Sequence, residues 1–325
     1  MPGDAIFEPW SLGDVLVALG VLREAPGSAV VASHSKWHPL LQAVLSDRPG
    51  FDFQITDLPY TTRHRRHPFD LGKNVGAGSQ MGGRVLSIRG DLRDYYAAVR
   101  IFPRASICMT GWPRFFARKI ALADIPFQRG WLAIENRYVS WARLLGVPFE
   151  RVSATYSGAA ERAPRSGLVV LHIGAQWRSR QYPHVASLAA ALQQQGFATK
   201  FVAHASDPEP AGVRPEEVVR PTNQELVALL RSAEHVIAND SGPMHLAAFL
   251  GCRTTVLARV AQIAEWQPPG VRVIENGNLP RGYRPHPKYM SDEILDGWPT
   301  VQRVVETLVG TAPRRLDDSC IASNS

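Results

Sequence analysis

The chain is poor in cysteine, lacks any long apolar run and carries less negative than positive charge. Cys108, Cys252 and Cys320 are the only cysteines among 325 residues. They are too few and too scattered for a disulfide framework or a metal knuckle. No run of about eighteen uncharged apolar residues is present, so a membrane-spanning helix is not expected. The amino terminus, Met1-Pro2-Gly3-Asp4-Ala5, lacks the charged-then-apolar pattern of a signal peptide, and a cytoplasmic location is expected. No acidic cluster suited to magnesium is evident. Against 29 acidic residues stand 36 lysines and arginines, a net charge of +7. That surplus suits nucleic acid, anionic lipid or a phosphorylated substrate, and its sign alone does not choose among them. At 45% hydrophobic and 20% charged the composition is that of an ordinary globular protein, and the length is natural for two domains.

The most informative stretch runs from Val236 to Gly251. An apolar run, Val236-Ile237-Ala238, is followed by Asn239-Asp240-Ser241-Gly242-Pro243 and then by a helix-period segment from Met244. This reads as strand, turn, helix. Asp240 and Ser241 fall where a helix N-cap belongs, so main-chain N–H groups and the positive helix end face whatever lies above the turn. A diphosphate is the natural guest, Gly242 lets it come close to the backbone, and His245 is placed one turn in to donate to a phosphate oxygen. A capped helix with a satisfied histidine is the plainer alternative.

The first half repeats the same pattern. Ala5-Ile6-Phe7 leads through Gly13 and Asp14 into a helix with Val15, Leu16, Leu19 and Leu22 on one face. Val30 to Ala32 and Phe51 to Ile55 supply further strands around a helix from Pro39 to Leu45, an alternation that implies a parallel sheet. In such sheets the loops at the carboxyl ends of strands line the ligand crevice. Asp14 is thus placed at a crevice, either as a chemical group or as a carboxylate that only caps its helix. Between Thr61 and Arg84 the alternation stops at a basic, glycine-rich stretch containing Arg63, Arg65 and Arg66. It is a solvated face, a contact for a phosphorylated acceptor, or a contact for acidic lipid. No Gly-Lys-Ser/Thr phosphate loop is present, and aromatics do not interleave with the bases, so a nucleic-acid partner is not expected.

Residues 158–167 are small, polar and turn-rich, the expected linker between a first domain, 1–157, and a second, 168–312; a disordered tail is expected for 313–325. The second domain opens on a buried strand, Leu168 to Ala175, with Arg178 and Arg180 on the loop beyond it. A guanidinium there is placed to clamp a diphosphate, with a plain surface role as the alternative. After the next strand, Thr199 to Ala203, Asp207 is offered to a ribose hydroxyl. Thr222-Asn223-Gln224-Glu225 has the form of a capping box, and Val301, Val304, Val305 and Leu308 share one helical face.

Taken in order, four segments resemble glycosyltransferase family nine, the heptosyltransferases. They are Ser11-Leu12-Gly13-Asp14-Val15-Leu16, then His172-Ile173-Gly174-Ala175 with Arg180-Gln181-Tyr182-Pro183, then Asp240 to His245 with Ala247-Ala248, and Glu265-Trp266-Gln267-Pro268. The resemblance implies a GT-B fold: two Rossmann-like, doubly wound parallel-sheet domains facing a cleft. It implies inverting, metal-independent transfer of a heptose or related sugar from a nucleotide diphosphate, with ADP-heptose the expected donor. The acceptor is expected to be a hydroxyl of a glycan, glycolipid or similar molecule, reached from the cytoplasm with peripheral contact to an acidic membrane. Asp14 matches the family's proposed general base. Arg180 matches a phosphate-binding base, Asp240, Ser241, Gly242 and His245 match the diphosphate motif, and His172 and Gly174 fall on the donor side. Gly13, Arg63, Arg65 and Arg66 fall on the acceptor side; no metal ligand or cofactor is implied. The sequence departs from the family in having arginine rather than lysine at Arg180, in a short polar first strand ending at Glu8, and in the basic insert. A nucleotide-sugar epimerase of the same architecture, or a degenerate transferase serving as a scaffold, remains an alternative.

Overall fold

The computed structural model describes residues 3–46, 50–61, 71, 83–111, 135–175, 180–205, 207, 212–259, 261–275 and 297–310. In the first half the elements run β1 (Ala5–Phe7), α1 (Leu12–Leu22), β2 (Ala29–Ser33), α2 (His38–Val44), β3 (Phe51–Ile55), β4 (Arg84–Ser87), α3 (Leu92–Ile101), β5 (Ser106–Met109), α4 (Arg137–Leu145) and α5 (Phe149–Glu161). The second half follows with β6 (Leu168–His172), α6 (Val185–Gln194), β7 (Ala198–Val202), β8 (Val218–Val219), α7 (Asn223–Ser232), β9 (His235–Asn239), α8 (Gly242–Phe249), β10 (Thr254–Ala258), β11 (Arg272–Glu275) and α9 (Val301–Val309).

Each half is built on its own parallel sheet, with strand orders β3-β2-β1-β4-β5 and β11-β10-β9-β6-β7-β8. Ala5 stands opposite Val30 on one side and Val85 on the other, and Val170 pairs with Lys200 and Val236. In both sheets the chain winds one way, returns and winds the other, which opens a crevice at the carboxyl ends of the two strands where the order reverses. Those strands are β1 and β4 in the first sheet and β6 and β9 in the second. The loops leaving β1, β4, β6 and β9 are therefore where ligand chemistry belongs.

Helix α1 departs from the one-faced helix read from its sequence, because all eleven of its residues are buried. It packs on its own sheet and also against α4 and α8, so one apolar cluster joins Val15, Leu16 and Leu19 to Trp141, Met244 and Leu246 across both halves. A helix that is covered all round needs apolar or small residues on every face, and Val17, Ala18, Gly20 and Val21 supply them.

Two local readings change and one is borne out. Strand β4 falls at Arg84, where the sequence reads as the end of a loop. Residues 158–161 of the expected linker complete α5 instead, since nothing in Ser157-Gly158-Ala159-Ala160 stops a helix already packed through Val152 and Tyr156. The capping box at Thr222 is present, with Glu225 reaching back to the Thr222 N–H at 2.8 Å. The expected tail, 313–325, lies outside the described residues. Among the described residues no helix is long and apolar enough to cross a membrane.

Candidate active site

The loop leaving β1 delivers Asp14 to the first turn of α1. Its cap is Ser11, whose hydroxyl accepts from the Asp14 N–H at 3.2 Å and donates to Asp14 Oδ2 at 2.7 Å. Asp14 is thus not the capping residue, and its carboxylate is turned inward. Arg137 Nη1, at the start of α4, donates to Oδ1 at 3.0 Å, and Arg89, leaving β4, lies 3.5 Å from Oδ2. Arg137 continues to Glu265 Oε1 at 3.1 Å, and its guanidinium lies 3.2 Å over the Trp266 ring. Arg89 continues to Asp94 at 3.2 Å, a carboxylate that also accepts from the Trp10 indole N–H at 2.9 Å.

Burial alone would raise the pKa of Asp14. Arg89 and Arg137, with the Ser11 hydroxyl, more than offset that and hold it below the ordinary value. The neighbouring Glu8 behaves oppositely. It is fully buried, neither carboxyl oxygen has a hydrogen-bond partner, and its pKa is pushed well above the ordinary value by burial and then by the Asp14 charge. The pair is one ionised carboxylate beside one neutral acid.

On the second sheet, the turn after β9 leads into α8. Ser241 occupies the N-cap position, but its side chain does not cap the helix. The Ser241 hydroxyl instead donates to the main-chain oxygens of Gly174 and Asn239, both at 3.3 Å. Asp240 pairs with Arg180 at 3.5 Å, and the same arginine donates to the Asp240 main-chain oxygen at 3.3 Å. The expected caps therefore tie the turn to its neighbours and leave the helix end to other partners. Gly174 is required here, since a Cβ on it would stand 1.8 Å from Asp207 Oδ2. Asp207 accepts from the His204 N–H at 2.8 Å, which holds its carboxylate against the turn at Gly174. His172 and His245 are both buried, and burial lowers each to about 4, so both rings are neutral near pH 7.

The two sides meet. A Cβ on Gly13 would lie 3.0 Å from His245 Cδ2 and 3.8 Å from Gly242 Cα, so the absent side chain lets α1 and α8 approach end to end. Gly242, expected to admit a guest, has Leu12 and the Gly13 N–H within 3.8 Å of its open side. The structure thus gathers Asp14, Gly13, Gly242 and His245 in one place, and His172, Gly174, Asp207, Arg180, Asp240 and Ser241 beside it. Arg63, Arg65, Arg66 and Arg178 lie outside the described residues. Sequence reading missed Arg89, Arg137, Tyr138 and Glu8. Arg89 was findable, because Val85-Leu86-Ser87-Ile88 is a strand signal directly before it; Arg137 carried none beyond its place at a helix start. Among the described residues no group of three or more His, Cys, Asp or Glu side chains is arranged to hold a metal ion.

Comparison with known proteins bears on the family and the fold. The family model described as glycosyltransferase family 9 (heptosyltransferase) matches residues 148–293. No curated protein matches the chain. Among solved structures, ADP-heptose lps heptosyltransferase II of E. coli is 18% identical with a TM-score of 0.55, over 94% of this chain and 97% of that one. A family 9 glycosyl transferase from Veillonella parvula DSM 2008 is 17% identical with a TM-score of 0.60, over 94% and 96%. The E. coli heptosyltransferase WaaC with ADP is 14% identical with a TM-score of 0.58, over 94% and 99%. The resemblance read from four short segments is thus supported: residues 148–293 are similar in sequence to glycosyltransferase family 9, and the chain has the two-sheet GT-B fold of solved heptosyltransferases along nearly its whole length.

Proposed function

We propose that the protein is an inverting, metal-independent glycosyltransferase. It moves a heptose or related sugar from a nucleotide diphosphate to a hydroxyl of a glycan, glycolipid or similar acceptor. The observation that carries this reading is the meeting of α1 and α8 at Gly13, His245 and Gly242, which brings the helix start bearing Asp14 against a helix end whose N-cap serine makes no cap hydrogen bond. Inverting transfer needs both: a base for the acceptor proton and positive groups for the departing charge.

In this reading Asp14 takes the acceptor hydroxyl proton while that oxygen bonds the anomeric carbon from the face opposite the diphosphate. The bond from the anomeric carbon to the phosphate oxygen breaks, and its electron pair leaves on the diphosphate. The α8 N–H groups, His245 and Arg180 stabilise that charge. Arg89 and Arg137 keep Asp14 ionised and fixed in orientation, at some cost in basicity. His172 and Gly174 shape the donor side, Asp207 takes the ribose, and Arg63, Arg65 and Arg66 take the acceptor or an acidic membrane. The first domain ends with α5 at Glu161, the linker is what remains up to residue 167, and the donor domain is 168–312. The solved WaaC complex holds ADP, which favours an ADP-sugar here.

Incubation with a panel of ADP-, GDP- and UDP-sugars in EDTA, with and without candidate acceptors, tests the reading by mass-spectrometric detection of released nucleotide. Release that depends on both donor and acceptor supports it. Turnover seen only when a divalent metal is restored would defeat the metal-independent mechanism.

One observation favours a second role for Asp14. Its carboxylate lies in two arginine pairs that join β4, α1 and α4, an arrangement equally suited to a buried charge anchor. The Asp14→Asn experiment below separates the two.

A further inference from the structure

We propose that Tyr138 is a positioning residue: its hydroxyl donates to His245 Nδ1, fixing the histidine in the tautomer whose Nε2–H faces the meeting point of α1 and α8. This rests on the reading of that point as the diphosphate site.

Tyr138 Oη lies 3.1 Å from His245 Nδ1, and the two rings stack at 28° with centroids 6.2 Å apart. Distance alone does not say which atom donates. Two observations decide it. Tyr138 is fully buried, and a buried phenol without an acceptor is costly. The other candidate acceptor is the hydroxyl of Tyr156, whose ring meets Tyr138 edge to face; it lies close enough to act on the Tyr138 hydroxyl but not in hydrogen-bonding geometry, so the well-formed contact is the one to His245. Among the described residues His245 Nδ1 is therefore the acceptor that the geometry offers the Tyr138 proton. Burial keeps that phenol protonated and the imidazole neutral, so the ring has a single proton to place. With Nδ1 accepting, the proton is on Nε2.

Nε2 faces the first turn of α1. It would stand 3.4 Å from a Cβ on Gly13, and no described residue hydrogen-bonds to it. Nε2–H there is a donor for an anionic oxygen, whereas the other tautomer would aim a lone pair at the anion. The placement of Tyr138 is also fixed from outside its own half. Its N–H donates to Asn136 Oδ1, and Asn136 Nδ2 donates to the main-chain oxygens of Ala264 and Gln267, each bond at 2.9 Å. Its neighbour Arg137 holds Asp14 and Glu265. Consecutive residues of α4 thus orient a group on each side of the crevice.

Full-length protein with ring-15N histidine gives the test by NMR near pH 7, with His245→Gln used to assign the signal. The unaltered protein should show an unprotonated Nδ1 and a protonated Nε2, and Tyr138→Phe, which keeps the ring packing, should move population to the Nδ1–H form. A protonated Nδ1 in the unaltered protein, or no change in Tyr138→Phe, overturns the assignment. With ADP as probe, Tyr138→Phe should weaken binding by about 10-fold or more, the scale of one hydrogen bond to a charged group. In a His245→Gln background the same change should have no further effect. A tautomer shift that leaves ADP affinity untouched overturns the link to the anion. Failure of every nucleotide sugar to turn over would remove the transferase reading and leave the NMR result standing.

Discussion

At Asp14 a single carboxylate receives Ser11, Arg137 and Arg89. Asp14→Asn keeps the shape and loses both the proton acceptor and the charge. For a general base, kcat falls by roughly two to four orders of magnitude with donor affinity nearly unchanged. For an anchor, buried Arg137 and half-buried Arg89 lose their counter-charge and stability falls by about 3 kcal/mol or more, with turnover per folded molecule preserved. Measuring kcat, donor affinity and Tm on this variant decides between them. Glu8 makes the complementary case. Its raised pKa means the folded protein holds a proton that the unfolded chain gives up above the ordinary value of 4.5. The stability this brings is whole below that pH and is lost as pH rises toward the folded-state value. Glu8→Gln should therefore melt like the unaltered chain near pH 4 and at a higher temperature near pH 7. Equal Tm values at pH 7 would show that Glu8 ionises freely.

The elements that matter most are two helix starts. The first turn of α1 is capped by Ser11, and that of α8 is not capped by the side chain of Ser241. The difference is local: at α8 the serine hydroxyl is committed to Gly174 and Asn239, which binds the β6 and β9 turns together. Gly174→Ala would force the Asp207 carboxylate away from a position 1.8 Å off, and with it the contact to the His204 N–H. A loss of about 1–3 kcal/mol in stability is expected, together with nucleotide binding weakened about tenfold or more if Asp207 meets the ribose. Calorimetry with ADP checks both, and full affinity in the variant would remove Asp207 and Gly174 from the donor site.

For the whole molecule, the apolar cluster that runs through α1, α4 and α8 makes the two halves share a core. Unfolding is expected in one calorimetric transition rather than two. Arg137→Met, which takes from Asp14 one of its two arginine partners and from Glu265 the Arg137 pair, should lower stability by about 3–5 kcal/mol. Two resolved transitions in the unaltered protein would refute the shared core. Acid should also act on the molecule as a unit. His172 and His245 are lowered to about 4 and His235 to about 3 by burial, so below 6.5 the unfolded chain binds protons the folded one refuses. Their contribution to stability is whole above that pH and is lost as pH falls through the folded values. Urea midpoints should drop between pH 6.5 and 4, and a flat profile would mean these rings are accessible.

What the sequence determined by itself was whatever is carried by short-range pattern. The apolar runs at Ala5 to Phe7, Leu168 to His172 and Val236 to Asn239, each followed by a small-residue turn and a helix-period segment, define strand, turn and helix wherever they fold. Their alternation defines parallel sheets, and parallel sheets define which loops face a ligand. Asp14, Gly174 and Asp240 to His245 were legible for that reason. The tertiary structure alone decided who stands beside them. Arg89 is separated from Asp14 by 75 residues of chain, Arg137 by 123, and Tyr138 from His245 by 107, distances over which no periodicity runs. The meaning of Glu8 was hidden as well, because a glutamate after a strand is ordinary until burial removes every partner for its oxygens. Even the roles of Ser11 and Asp14 within one turn were settled by packing: a carboxylate caps its helix when water is the alternative, and turns inward when two arginines from other elements are closed over it.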